Sequence, residues 1–293
     1  MPKMLRVIII GFAVAALGIM LSVIGYVNGG QNSLVWRDGH FVLPQEKAIN
    51  QKFDTIKTID ATAVELDVHV VASDKNEYRV KGTVGDATQL NLTDKDGALH
   101  IRYTGTQKDK YRVGFNKRVE HVMTVYVPKK AVMKYVHIRN YSGSSSLHDV
   151  ETKNLTLNNT YGLVTLNGVK SPETTMNLAD SQFSAKQATL GKAFVSASDT
   201  DMQLKDVVMN DGVVQLNSGN LTVQNAQLTG VNAWTLREGN LDVTNMPVPG
   251  LQIQANNGDI KIQGNRFVGS YSRDESATDR LNVVTTDGDT IFN

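Results

Sequence analysis

The sequence predicts an all-β protein, a parallel β-helix with coils of about 19 residues, preceded by one N-terminal transmembrane helix. Three observations predict this fold. An uncharged apolar stretch lies near the amino terminus, apolar and polar residues alternate along most of the remaining chain, and one turn motif recurs every 19 or 20 residues.

The apolar stretch covers residues 7–27, 21 positions without a charge. As a helix it would be ~31 Å long, which matches a bilayer core of ~30 Å. Lys3 and Arg6 precede it, so the positive-inside rule predicts a cytoplasmic amino terminus and an extracellular C-terminal domain. A cleaved signal peptide is the alternative, although its apolar region is normally only ~7 to 15 residues. We therefore expect an uncleaved anchor in the cell membrane.

The pattern divides the chain into four parts. Residues 1–27 form a cytoplasmic tip and the anchor, and residues 28–50, rich in Gly, Asn and Gln without a sustained period, read as a linker. Residues 51–130 show strand alternation and are expected to be continuous with the solenoid. Residues 131–293 contain the β-helix repeats.

The repeat is defined by a polar residue, a corner residue, Asn or Asp, and then alternating apolar positions. The corner positions are Gly143, Gly162, Ser181, Thr200, Gly219, Gly239 and Gly258, and a last match at Gly288 follows 30 residues later. Glycine is expected to supply a positive φ at each corner, which serine and threonine tolerate less easily. Coils of this kind must stack to bury their apolar faces.

The alternative fold is a β-sandwich whose hairpins are evenly spaced by chance. Six consecutive intervals of 19 or 20 residues argue against it. The segment between Gly264 and Leu281 interrupts the last coil, and we expect it to project as a loop.

Composition and motifs exclude several functions. The formal net charge is +1, so bulk electrostatics does not favour nucleic acid. The chain has no cysteine, which excludes disulfides and thiolate chemistry. Its six histidines lack metal-ligand spacing and are expected at ordinary exposed strand positions. No nucleotide or nucleophile motif occurs in a fitting context, so we predict no catalytic, cofactor or metal site.

Two acidic pairs require a separate interpretation. Asp199 with Asp201, and Asp287 with Asp289, place two carboxylates on one strand face. Because they flank the corners, we expect them to bond nearby backbone amides. In the alternative, a polysaccharide-processing β-helix enzyme for cell-wall or capsule glycans, Asp199, Asp201 or Asp259 would be essential for turnover.

One basic run is a candidate binding surface for anionic lipids or envelope polymers. It consists of Lys108, Lys110, Tyr111, Arg112, Lys117 and Arg118. Each basic residue near a charged membrane contributes ~1 kcal/mol. A solvated loop is the more ordinary explanation.

Short motifs in the repeats resemble a bacterial family known as putative adhesins, a domain of unknown function common in Gram-positive bacteria. The resemblance rests on residues 218–221, 257–260 and 288–291, and upstream on residues 53–56, 64–72, 96–101 and 125–128. It covers roughly residues 50–293 and implies a β-helical cell-surface domain, often linked to envelope stress, without established catalytic residues. Ser181 and Thr200 depart from the family's glycine corners.

These features together predict a non-enzymatic surface protein with an adhesin-like or envelope-stress-related role. Its expected partners are the cell membrane, through residues 7–27, and envelope polymers, anionic lipids or other surface proteins, but not nucleic acid. A structural stalk that self-associates through uncapped solenoid ends is a further alternative.

Overall fold

The structure, a computed structural model, describes residues 3–27, 33–37, 39–42, 47–85, 89–105, 112–114 and 121–293. Its single helix among these residues is α1, Lys3–Val27. The first fourteen strands are β1 Ser33–Arg37, β2 His40–Val42, β3 Lys47–Phe53, β4 Thr58–Val64, β5 Asp67–Ser73, β6 Tyr78–Val84, β7 Leu90–Lys95, β8 Ala98–Tyr103, β9 Arg112–Gly114, β10 Val122–Pro128, β11 Val132–Met133, β12 Tyr135–Tyr141, β13 Ser145–His148 and β14 Glu151–Thr152. The others are β15 Asn154–Asn167, β16 Glu173–Lys186, β17 Thr189–Ser198, β18 Asp201–Lys205, β19 Val208–Asn210, β20 Val213–Asn217, β21 Leu221–Gln224, β22 Gln227–Thr229, β23 Val231–Arg237, β24 Leu241–Thr244, β25 Gly250–Ile262, β26 Asn265–Arg273, β27 Arg280–Thr286 and β28 Thr290–Phe292.

The chain forms two compact units. The first consists of Met1–Glu46 and Thr106–Val119, and the second of Lys47–Gly105 and Glu120–Asn293. In the first unit, the part of α1 from Met4 to Gly25 has a mean hydropathy of 2.8 and is long enough to cross a membrane. This composition is compatible with a membrane anchor or a signal sequence.

The segment that the sequence predicts as a linker contains strands. Residues 28–50 contain β1, β2 and the beginning of β3, and β1 pairs antiparallel with both β2 and β9. Trp36 lies opposite Phe41, with ring centroids 4.8 Å apart in an edge-to-face contact. Such cross-strand aromatic pairs stabilise short hairpins. The strands were missed because each is short and because the partner strand β9 lies far along the sequence.

The second unit is a β-solenoid-like body built from three ladders of strands. Ladder A stacks β7, β8, β4, β12, the first halves of β15 and β16, the second half of β17, then β20, β23, β27 and the first half of β25. Ladder B stacks β3, β6, β10, β5, β13, the second halves of β15 and β16, then β18, β21, β24, β28 and the second half of β25. Ladder C stacks β11, β14, the bridge at Lys170, the start of β17, β19 and β22.

Successive coils pair in parallel at the spacing that the repeat predicts. Leu155 lies opposite Thr174, and Thr174 opposite Ala193, a step of 19 residues each time. The step becomes 20 where Val213 pairs with Ala233. The strands of residues 51–130 join the same ladders, since β4 pairs with β12 and β5 with β13.

Alternation in each strand directs apolar side chains into one continuous core. On ladder A, apolar side chains of successive strands stack on each other in rows inside the core. One such buried row consists of Ile101, Ala61, Ile138, Leu157, Met176, Val195, Val214, Trp234, Val283 and Ile253. Each fully buried aliphatic side chain of this kind contributes roughly 1.5–3 kcal/mol. The outer residues of every strand are therefore free to serve solubility or binding.

The corners lie along one edge. Gly219, with a φ of 126°, is the one corner glycine that has the predicted positive φ, and at the other corners glycine serves a different purpose. Positive φ angles, between 47° and 67°, occur at the residue before each corner: Ser142, Tyr161, Asp180, Asp199, Ser218, Glu238, Asn257 and Asp287. Glycine follows because the corners are stacked closely. A methyl group on Gly239 would overlap the carbonyl oxygen of Gly219, and one on Gly162 would overlap that of Gly143.

The order of the last coils differs from their order in sequence. Strands β27 and β28 insert between β23 with β24 on one side and β25 on the other. A methyl group on Gly288 would meet Gly239 O, and one on Gly258 would meet Gly288 O. The final repeat thus lies between its two predecessors.

The segment after Gly264 is a strand, which corrects the expected projecting loop. Gln263 and Gly264 both have positive φ and form a tight turn, after which β26 runs antiparallel to β25. Phe267 and Tyr271 pack on each other at 4.7 Å and against the core. At the other end of the body, β7 and the β3–β6 pair are likewise antiparallel. Both ends of ladders A and B are therefore covered by antiparallel strands.

Candidate binding groove

The outer face of ladder A carries aligned polar side chains. Parallel register places Arg139 opposite Asn158, and Asn158 opposite Asn177. Asn177 Nδ2 donates a hydrogen bond of 2.7 Å to Asn158 Oδ1. Because neighbouring strands lie ~4.8 Å apart, the face presents polar groups at that interval.

An open groove of about 490 Å³ runs along this face. It is formed by β4, β12, β15, β16, β17 and β20, and we name it the tyrosine groove after Tyr141. Arg139, Asn158, Asn177 and Ser198 also line it. Among the described residues of the lining, Arg139 is the only charged one. The groove therefore combines apolar surface with aligned polar side chains and carries one positive charge.

A charged cluster lies beside the groove, centred on the Asp60 carboxylate. Asp60 Oδ2 accepts a 3.0 Å hydrogen bond from Arg102 Nη2 and lies 3.3 Å from His100 Nδ1. Asp60 Oδ1 lies 3.3 Å from His137 Nδ1. The negative charge of the carboxylate is thus balanced by side chains of the same ladder, because β8 and β12 flank β4 in parallel register.

His137 links this cluster to the groove. Arg139 Nε donates to His137 Nε2 at 3.1 Å, and Asn158 Nδ2 lies 3.3 Å from the same nitrogen. A guanidinium can only donate, so Nε2 accepts and the ring proton is on Nδ1, facing Asp60. Burial lowers the pKa of His137, and the charge of Arg139 lowers it further, against the opposing effect of Asp60. A neutral His137 therefore orients Arg139.

Arg139 itself is exposed and keeps its charge available. In the described part of the chain, no carboxylate lies within 4.0 Å of its guanidinium, since the nearby ion pairs all use Asp60 with Arg102, His100 or His137. Arginine binds carboxylate and phosphate groups through two parallel hydrogen bonds. The position is suited to an anionic group of a ligand.

Two exposed tyrosines border the groove. Tyr141 and Tyr161 are 52% and 49% exposed, and their rings meet edge to face at 5.5 Å. Tyr161 has a φ of 57°, a conformation that costs a bulky residue roughly 1–2 kcal/mol. The other residues that precede a corner are all Ser, Asp, Asn or Glu. A strained, exposed aromatic residue is typical of functional sites.

A second groove, of about 640 Å³, lies at the corners that lack glycine. Asp180, Asp199 and Asp201 line it together with Ser181 and Thr200. The two hydroxyls bond backward along their own strands, Ser181 Oγ to Ala179 O and Thr200 Oγ1 to Ser198 O. The groove is acidic, and its two hydroxyl groups are used within the fold.

Asp201 begins a ladder of side chain to backbone bonds between coils. Its Oδ1 accepts from the backbone amide of Asn220 at 2.9 Å. Corresponding bonds continue from Asn220 to Asn240, from Asn240 to Asp289, and from Asp289 to Asp259, whose own Oδ1 accepts from Arg266 at 2.6 Å. Asp201 and Asp259 therefore lie four coils apart, roughly 19 Å.

The acidic pairs at the corners bond to neighbouring coils only in part. Asp201 and Asp289 accept from backbone amides of the next coil, as the sequence indicated for these two positions. Asp287 instead accepts from the side-chain amide of Asn257, and Asp199 lines the acidic groove. Within the described ranges, no three histidine, cysteine or acidic side chains are placed to hold a metal ion.

The basic run predicted from the sequence lies mostly outside the described residues. Lys108, Lys110, Tyr111, Lys117 and Arg118 are not described, and Arg112 is described only in its backbone, in strand β9. The backbone of Arg112 pairs with Val35 of β1. The side chains of this candidate surface thus lie outside the described residues.

Sequence reasoning missed the groove residues because each lies in a different coil. His137 was expected at an ordinary exposed position, but it is only 8% exposed and contacts Asp60. The parallel register that brings Asp60, His100 and His137 together joins residues 40 and 77 positions apart. One available signal was Tyr161, the single aromatic residue before a corner.

The fold and the groove define a β-solenoid-like protein with an N-terminal apolar helix and an open groove on the outer face of one ladder. The chain belongs to the Toastrack DUF4097 family, whose model matches residues 56–291. No match was found among the curated proteins.

Solved structures similar to the chain include two bacterial proteins. One is a putative adhesin from Bacteroides fragilis, with 14% identity, a TM-score of 0.48, and coverage of 86% of this chain and 99% of that one. Another is a putative lipid binding protein from Parabacteroides distasonis, with 14% identity, a TM-score of 0.48, and coverage of 85% and 96%. At these scores the likeness carries no functional argument.

Proposed function

We propose that the protein is a non-enzymatic, adhesin-like binding protein on the outer side of a cell membrane, and that the tyrosine groove binds its ligand. The observation that carries this proposal is the groove itself, with the oriented Arg139 and the strained Tyr161 beside it. Ladder strands are rigid, and sites on rigid elements hold their geometry well.

We also propose a specific coil architecture for the second unit. We infer a parallel β-helix with coils of about 19 residues, supported by the parallel pairing of residues 19 apart in ladders A and B. A β-sandwich would instead pair successive strands mainly antiparallel.

We infer that α1 is an uncleaved anchor with its amino terminus in the cytoplasm, as the charges of Lys3 and Arg6 favour. The absence of cysteine makes this testable. A single cysteine at Ser276 should react with a membrane-impermeant maleimide in intact cells, and one at Lys3 should react only after lysis. Labelling of Lys3→Cys in intact cells would contradict this topology.

The basic run is a second candidate contact with the membrane or with envelope polymers. Val35, which pairs with Arg112, follows the end of α1 by eight residues, so at most ~28 Å of chain separates them. That reach keeps β9 near the end of the membrane segment. We further propose that the protein belongs to a Gram-positive bacterium and takes part in its response to envelope stress. Deletion of the gene should then alter survival under envelope-damaging antibiotics.

Two alternatives are less well supported. A polysaccharide-processing enzyme needs carboxylates from adjacent coils in one groove. Asp180, Asp199 and Asp201 line such a groove, but Asp201 is engaged with the backbone of Asn220 and Asp259 lies four coils away. A self-associating stalk would pair through the edge strands β3, β7 and β26. Charged side chains lie on the first and last of these, namely Lys47, Lys52, Arg266 and Arg273. Charged residues on edge strands oppose pairing with other chains.

The proposed function is tested with the full chain in lipid nanodiscs and fragments of bacterial envelope. Sedimentation with the fragments should fall at least about fivefold for Tyr141→Ala, and remain unchanged for Val268→Ala, which removes an 85% exposed side chain at the end of the body. Equal binding by both variants would refute the groove as the binding site. Release of soluble sugars from the fragments would refute the non-enzymatic part.

A further inference from the structure

Building on the proposed function, we propose that the tyrosine groove binds an acidic polysaccharide, a chain of sugar rings bearing carboxylate groups laid across the strands of ladder A. Three properties of the groove support this ligand class: its charge, its hydrogen-bonding groups and its aromatic border.

The charge of the groove favours a sparsely acidic ligand. Arg139 is the single charged group among the described lining residues, and Asp60 beside it is already paired with Arg102. His137 accepts a hydrogen bond from Arg139 Nε and so holds the guanidinium in place while its other nitrogens can bind a carboxylate. A cationic ligand would find no countercharge in this lining.

The polar lining suits hydroxyl groups. Asn158, Asn177, Ser196 and Ser198 offer both donors and acceptors, which matches sugar hydroxyls that also donate and accept. These residues belong to three successive coils in parallel register. The strand spacing of ~4.8 Å is close to the length of one sugar ring in a chain, so successive rings can meet successive coils.

The aromatic border suits the apolar face of a sugar ring. Tyr141 lines the groove, and its ring is half exposed and fixed by the edge-to-face contact with Tyr161. Aromatic faces attract weakly polarised C–H groups, and a tyrosine loses little conformational entropy when it binds. The strained backbone of Tyr161 keeps this pair at the rim.

Other extended ligands fit less well. A peptide that adds to a sheet needs unpaired backbone groups, but the groove lies on the face of ladder A, where β12, β15, β16 and β17 pair with strands on both sides. An acyl chain would contact the apolar atoms of the lining, but it would displace water from the amides and hydroxyls without replacing their hydrogen bonds.

The test uses isothermal titration calorimetry of the full chain in zwitterionic nanodiscs. The probes are a galacturonic acid hexamer and the same hexamer with its carboxyl groups methyl-esterified. The acidic hexamer should bind at least about tenfold more tightly than the ester, equivalent to ~1.4 kcal/mol. Arg139→Gln should abolish that preference, and Tyr141→Ala should weaken binding of the acidic hexamer at least about fivefold.

The matched control is Lys205→Gln, which removes an exposed charge on the outer face of ladder B. It should leave both affinities unchanged, and all variants should keep the circular dichroism spectrum of the parent. Equal affinity for acid and ester, or an equal loss with Lys205→Gln and Arg139→Gln, would overturn the inference. If neither hexamer binds while envelope fragments still bind through Tyr141, the acidic-polysaccharide inference fails and the proposed function stands.

Discussion

The coils around the tyrosine groove and the coils beyond Thr200 use the same repeat in different ways. Beyond Thr200 every corner is a glycine, and one Asn or Asp side chain per coil bonds the next backbone amide. In the coils that form the tyrosine groove, Ser181 and Thr200 replace glycine at the corners, and Tyr161 has a strained backbone one residue before a corner. The later coils are regular, whereas the earlier coils depart from the repeat where the groove lies.

The strongest test of this contrast is Gly239→Ala in the regular coils. The new methyl group would overlap Gly219 O, which is backbone and cannot move alone. We expect a loss of about 3 kcal/mol in the free energy of unfolding, and a thermal midpoint lowered by roughly 10 °C. Thermal unfolding followed by circular dichroism measures it.

The matched control is Gly264→Ala, at a glycine with a φ of 79° and open space around it. Only backbone strain acts there, so the loss should be roughly 1–2 kcal/mol. If the two variants lose the same stability, close stacking is not what selects glycine at the corners.

The second test restores glycine at an irregular corner. Thr200→Gly removes a hydroxyl that bonds Ser198 O at 2.7 Å and adds backbone freedom to the unfolded chain. We expect a loss of about 1–2 kcal/mol in the free energy of unfolding. Thr200→Ser keeps the hydroxyl and should lose less than the glycine variant. A stabilising Thr200→Gly would show that this corner is an imperfect copy of the regular ones.

The third test concerns strain at the rim of the groove. Tyr161→Asn places at that corner a residue that tolerates the left-handed conformation. In a Tyr141→Ala background, where the aromatic contact is already lost, it should stabilise the protein by about 1 kcal/mol. Urea unfolding of the single and double variants measures this difference. A destabilised double variant would mean that Tyr161 serves packing and not binding.

The last test uses acid, because every histidine of the chain precedes the regular coils. Burial lowers the pKa of both His137 and His69 below the ordinary value of 6.5. The unfolded chain therefore binds more protons than the folded one as the pH falls through 6.5, and the free energy of unfolding decreases until both folded-state pKa values are passed. The groups facing His137 are Asp60, Arg102, Arg139 and Asn158.

Amide hydrogen exchange at pH 7 and pH 5 localises this effect. Protection should fall in β4, β5, β12 and β13, which carry or flank the two histidines, and remain nearly constant in β21 and β24. His137→Gln combined with His69→Gln should remove most of the difference. A uniform loss of protection over all coils would contradict a local origin.

Much of this fold was accessible from sequence, because the period of the corners equals the step of the ladders. The 19-residue interval of Gly143, Gly162 and Ser181 predicts their alignment along one edge. What the interval does not encode is the order of the coils. Ala233 pairs with Asn282, 49 positions away, because the chain runs through β25 and β26 before it returns.

The candidate site was less accessible for a related reason. Polar outer residues such as Asn158 and Asn177 look like ordinary solvated positions until the register places them beside Tyr141 and Arg139. Nor does composition reveal that glycine is required at Gly162 and Gly239 because of a neighbour's carbonyl oxygen and not because of the residue's own φ. Both depend on contacts between coils, which local patterns do not contain.

The position of β27 and β28 between earlier coils has a consequence for how the protein is made. If the coils stacked in chain order, each coil could pack on the previous one as it is synthesised. Here the β25–β26 hairpin is synthesised first, but the strands on which it packs in ladders A and B are present only after residues 280–292 have been made. Loss of those residues would therefore leave a gap between β23 with β24 and β25, and the last coils can pack only once this segment is available.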